Sequence, residues 1–132
     1  MPATESFTLS KEERMSSKLL INELFGGTES RSLVAFPLRL VYMKHDRDNE
    51  KQFAASILIS VPKRHFKHAV DRNRVKRQVR EAYRHHKQIL TEKVQQEQTL
   101  AIAFIWLADE LYESATVEKS VRKLLGKVAE RL

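Results

Sequence analysis

Apolar residues recur along this chain with two different spacings, and the switches between them mark out its elements. Leu20, Ile21, Leu24 and Phe25 repeat at helical spacing, and Gly26-Gly27 closes that run as a helix end. Upstream, Ser10-Lys-Glu-Glu13 matches a capping box and Ser16-Ser17 offers a second start, while residues 1–9 are expected to form a loose extension. Leu33 to Met43, LVAFPLRLVYM, is rich in strand formers and reads as a first strand. Pro37 within it requires an edge position, a bulge or a late strand start. The wholly polar HDRDNEKQ, His45 to Gln52, reads as a hairpin loop leading to a second strand, Phe53 to Val61. Leu100 to Leu107 is a third strand, and its unbroken apolar run predicts burial on both faces. Val117, Val121, Leu124, Leu125 and Val128 form the stripe of a last helix over residues 116–131.

Between the second and third strands lies DRNRVKRQVREAYR, Asp71 to Arg84, with five arginines and one lysine. At 100° per residue, Val75, Val79, Ala82 and Tyr83 fall within about 100° of arc and define a core-facing stripe. Arg72, Lys76, Arg77, Arg80 and Arg84 fall within about 140° beside it, with Asn73 in the middle of that face. Arg74 lies off both, near Gln78 and Glu81, where it can hold the helix start or the preceding loop. Asp71 suits the N-cap. The element order predicts a single-domain α/β sandwich spanning residues 1–132, with helices packed on a small sheet and a βαβ-type crossover through the basic helix.

Charge sharpens this picture. The 132 residues carry a formal net charge of +7. Lys63 to Lys87 holds ten Lys/Arg against two acidic residues, a local net of +8, whereas the rest of the chain holds fourteen against fifteen. Such a concentrated patch on a balanced protein is the footprint of a polyanion site. A merely solvated face mixes signs and gains from Glu–Lys pairs four apart. Here like charges repel along one face, a cost that a bound polyanion would remove. Arginine suits structured RNA, because its planar fork grips phosphate and stacks on bases. Lys63, Arg64, Lys67 and His68 extend the patch into the loop before the helix.

Other chemistry is sparse. The absence of cysteine excludes disulfides, thiolate zinc sites and a thiol nucleophile. No nucleophile elbow, phosphate-cradling glycine loop or metal cluster is evident, so no catalytic residue and no protein-bound metal is expected. His65, His68, His85 and His86 are expected to meet solvent or RNA. Asp109-Glu110 at a strand end makes a poor Mg²⁺ site, because neighbouring strand residues point opposite ways. No apolar run approaches the ~20 residues of a membrane helix and no signal peptide is present, so a cytoplasmic location is expected.

Arg72-Asn73-Arg74, followed by Lys76-Arg77 and Arg80-Glu81 and preceded by Ser60-Val-Pro-Lys63, resembles the protein subunit family of bacterial ribonuclease P. Arg14-Met15, Ile21-Asn-Glu-Leu-Phe25 and Leu40-Val-Tyr42 fit the same pattern, so the resemblance covers residues 14–130. It implies a ribosomal protein S5 domain 2-like fold with a left-handed crossover through the basic helix. It also implies a hydrolase whose catalyst is the RNA subunit with its Mg²⁺ ions, cutting precursor tRNA at the mature 5′ end. By position, Arg72, Asn73, Arg74, Lys76, Arg77, Arg80 and Arg84 would touch the catalytic RNA, supported by Lys63, Arg64, Lys67 and His68. Ile21, Phe25 and Tyr42 would line a cleft for the 5′ leader of precursor tRNA, with Ile21 standing where the family often has Phe. The protein would act as a monomer in the holoenzyme.

Two other readings explain the charge. A non-enzymatic RNA-binding module, such as a ribosomal protein with a similar sandwich, fits equally well apart from the RNR register after SVxK. A DNA-binding protein using the basic helix in the major groove fits less well, because an apolar stripe anchors that helix between two strands.

Overall fold

The computed structural model describes residues 30–46, 55–93 and 98–132. The predicted N-terminal helix, and with it Ile21 and Phe25, lies outside the described residues, as do residues 47–54, which hold most of the polar stretch 45–52.

Four strands form one mixed sheet in the order β1-β2-β4-β3. The expected first strand is two strands. β1 (Arg31–Ala35) and β2 (Leu38–Asp46) form an antiparallel hairpin with Ala35 opposite Leu38, so Phe36-Pro37 is the turn. Proline has no N–H to give to a ladder, and the chain reverses where it stands. The Phe36–Pro37 peptide is cis. Two bonds tie this turn to the body: Leu107 N–H donates to Pro37 O at 2.8 Å, and the Ser120 hydroxyl donates to Ala35 O at 2.5 Å.

β3 (Ala55–Ser60) does not pair with β2, which corrects the expectation of a hairpin through residues 45–52. β4 (Gln98–Trp106) lies between them, antiparallel to β2 and parallel to β3. A parallel pair needs a crossover. It is made here by helix α1 (Ala69–His86) and the short α2 (Gln88–Thr91).

Central β4 is buried on both faces, as its sequence predicts. Leu100, Ile102, Phe104 and Trp106 join the main core, which also holds the stripes of α1 and of the C-terminal helix α3 (Ser114–Glu130). Ala101 and Ala103 face the other way and pack with Met43, Val41 and Leu58. The predicted stripe of α3 is fully buried. Each such side chain stabilises the fold by about 1.5–3 kcal/mol relative to exposure, an upper range for an extended unfolded chain.

Candidate nucleic-acid interface

The basic helix is positioned from both ends and from its middle. Val75, Val79, Ala82 and Tyr83 are buried, as predicted, and Tyr83 meets Phe104 edge to face with centroids 6.1 Å apart. Gln78 Nε2 donates to Tyr112 O at 2.9 Å and to Ser114 Oγ at 3.1 Å, pinning α1 to the start of α3. Near the C-terminal end, His86 Nε2 donates to Glu118 Oε1 at 2.8 Å. No local pattern signals the roles of Gln78 and His86, because their partners lie more than thirty residues away.

The preceding loop is also held. Val61 and Phe66 are buried in the main core, so the loop between β3 and α1 is anchored by an aromatic ring. His65 Nδ1 donates to Asp109 Oδ1 at 2.6 Å, joining this loop to the one after β4. Arg72 donates to the carbonyls of Phe66 at 2.7 Å and Lys67 at 3.1 Å. With its buried anchor and these bonds, the loop presents Lys63, Arg64, Lys67 and His68 to solvent.

Several expectations about individual residues change. His68, not Asp71, occupies the N-cap, with no side-chain capping bond. Asp71 lies in the first turn, where its charge still meets the positive end of the helix dipole. Arg72 is half-buried and holds the loop, the task expected of Arg74, whereas Arg74 is exposed. The reason is angular: Arg72 precedes Val75 by three residues, so it shares the core-facing meridian. His65 and His86 are bonded to carboxylates rather than turned outward, while His68 and His85 are exposed.

The expected face of five like charges is therefore divided. Arg84 pairs with Glu81 at 2.5 Å. That hydrogen bond, helped by the positive charges of Arg84, His85 and Arg80, holds the Glu81 carboxyl below the usual carboxylate range, and burial opposes this only partly. Arg80 is half-buried. Exposed Asn73, Arg74 and Arg77 and half-buried Lys76 remain along the outer side of α1, continuous with the cationic loop. Tyr42, expected beside a leader, is 4% exposed within the main core. Among the described residues there is no group of three or more His, Cys, Asp or Glu placed to hold a metal ion, and no helix long and apolar enough to cross a membrane.

This is a mixed-sheet α/β protein whose crossover helix carries a cationic surface held to the core by Arg72, Gln78 and His86. Over residues 9–129 the chain matches the family model for Ribonuclease P. Ribonuclease P protein components from two strains of Porphyromonas gingivalis are 42% and 44% identical to it, each over 98% of this chain and 92% of the relative. The ribonuclease P protein of Thermotoga maritima superposes with a TM-score of 0.64 at 21% identity, covering 86% of this chain and 96% of that one. The chain belongs to the ribonuclease P protein family.

Proposed function

We propose that this protein binds the catalytic RNA of ribonuclease P through the outer side of α1 and the loop before it, and promotes removal of the 5′ leader from precursor tRNA. The carrying observation is the mounting of that surface. Lys63, Arg64, Lys67, Arg74, Lys76 and Arg77 project from backbone held by Phe66, Arg72, Gln78 and His86. A pre-ordered cationic surface loses little side-chain and loop entropy on binding. Family membership supports an RNA partner rather than DNA, and the arginine content suits structured RNA.

In this reading Asn73, Arg80 and exposed His68 add contacts along the same surface, while Arg72 and Arg84 shape it rather than supply its free charge. The leader is assigned to Ile21, Phe25 and Tyr42 by the family resemblance, with buried Tyr42 supporting rather than lining its path. Mg²⁺ belongs to the RNA, which carries the hydrolysis, and the protein contributes binding and placement. The working form is one protein per RNA.

The test is reconstitution. The protein is mixed with a bacterial ribonuclease P RNA and labelled precursor tRNA, at low Mg²⁺ where the RNA alone is slow. Cleavage at the mature 5′ end that needs the protein is the expected result. Binding without any change in cleavage would instead favour a general RNA-binding role.

A further inference from the structure

Beside the cationic surface, a groove of about 210 Å³ opens between α1 and the first turns of α3. Arg77, Gln78, Glu81 and His85 line it from α1, Ser114 and Glu118 from α3, and Ala82 lies at its base. Its size is below the roughly 300 Å³ at which drug-sized ligand sites begin, and suits one small ring system. Its charges exclude a bare phosphate: two carboxylates line it, and they would repel an anion as Arg77 attracted it.

What fits is a flat, neutral heterocycle with hydrogen-bond donors on its edge. A guanidinium stacks readily on the face of a base, and Arg77 is exposed with no hydrogen bond or ion pair among the described residues. Each carboxylate uses one oxygen inside the protein: Glu81 Oε2 accepts from Arg84, and Glu118 Oε1 accepts from His86. The other oxygen of each has no hydrogen bond among the described residues. An ionised carboxylate only accepts, so it favours base edges that carry an amine. Adenine, cytosine and guanine have one; uracil offers only an imide N–H flanked by two carbonyl oxygens, which repel a carboxylate. Arg77 also belongs to the cationic surface, so a strand with its phosphates along Arg74, Lys76 and Arg77 passes the mouth of the groove.

We propose that this groove takes a single unpaired, amine-bearing nucleobase from the RNA docked on α1, with Arg77 against its face and Glu81 accepting from its exocyclic amine. The proposal rests on the RNA-binding reading of α1.

Glu81→Ala tests it, because two explanations predict opposite signs. If α1 meets RNA through charge alone, removing a carboxylate and freeing Arg84 tightens binding. If Glu81 reads a base, binding weakens, by about tenfold for a lost charged hydrogen bond. Position 81 is exposed on a helix and alanine favours helices, so folding is retained and is checked by circular dichroism. Affinity for transcribed bacterial ribonuclease P RNA is measured over a salt series. The RNA is also footprinted with reagents that modify the Watson–Crick edges of A, C and G. The expected result is weaker binding at physiological salt, with one A, C or G that the wild-type protein protects becoming reactive with the variant. Equal or tighter binding, or no such nucleotide, overturns the base pocket and leaves the proposed function standing. If the wild-type protein fails to bind the RNA, both fall.

Discussion

The guanidinium of Arg72 donates to the carbonyl oxygen of Phe66 at 2.7 Å, and Phe66 is itself buried in the core. The first arginine of the RNR motif thus bonds to the protein's own backbone and fixes the loop that carries Lys63, Arg64 and Lys67. Arg77, five residues on, has no such bond and is exposed.

The two arginines should separate in stability measurements. Arg72→Ala strips a charged donor from two carbonyls and should cost about 1.5–3 kcal/mol. Arg77→Ala should stay within about 0.5 kcal/mol of the wild type. Urea unfolding curves of the two variants decide it, and equal midpoints would remove Arg72 from the scaffold.

Salt dependence should separate free charges from structural ones. Arg74→Ala and Lys76→Ala should each flatten the dependence of log affinity on log salt by about 0.7–0.9, one phosphate contact apiece. Arg84, already paired with Glu81, should change the slope much less when replaced by Ala. Fluorescence anisotropy titrations with the RNA from low to physiological salt would give these slopes.

The core beneath the helices should be sensitive to truncation. Leu124 is fully buried on α3. Leu124→Ala should destabilise the protein by about 2–5 kcal/mol, the range for buried leucines that leave a cavity. Thermal and urea unfolding report this directly, and a loss below about 1 kcal/mol would contradict tight packing there.

The Glu81–Arg84 pair should leave a small acid-side signature. Arg84 lowers the folded-state pKa of Glu81 from its ordinary 4.5. The pair's contribution is therefore fully present above that ordinary value and is lost as pH falls through the lowered one. Because the Glu81 side chain is half-exposed, the effect should be on the order of 0.3 kcal/mol. Glu81→Gln should be less stable than the wild type by that amount at neutral pH, with the gap closing in acid, as differential scanning calorimetry across pH would show.

Local pattern determined much of this protein. The stripes Val75-Val79-Ala82-Tyr83 and Val117-Val121-Leu124-Leu125-Val128 were legible because a helix returns to the same face every three or four residues. The double-sided burial of β4 was legible because only a central strand tolerates apolar residues on both faces. The concentration of charge between Lys63 and Lys87 needed no structure at all.

What the sequence left open depends on contacts between residues far apart in the chain. Pro37 could have bent one strand or divided two; the pairing of Ala35 with Leu38, and Ser120 reaching Ala35 from 85 residues away, decide for the hairpin. The polar loop after β2 looked like a hairpin because its sequence does not show that β4 will insert between β2 and β3. A helical wheel puts Arg72 on the core-facing meridian and Arg77 well away from it, but does not show that the carbonyls of Phe66 and Lys67 lie within reach of Arg72. Composition and periodicity determined the two long described helices, the central strand and the charge of the interface. Only the tertiary structure decided which cations are committed to the scaffold and which are left for a partner, because a side chain's free valences depend on what folding brings beside it.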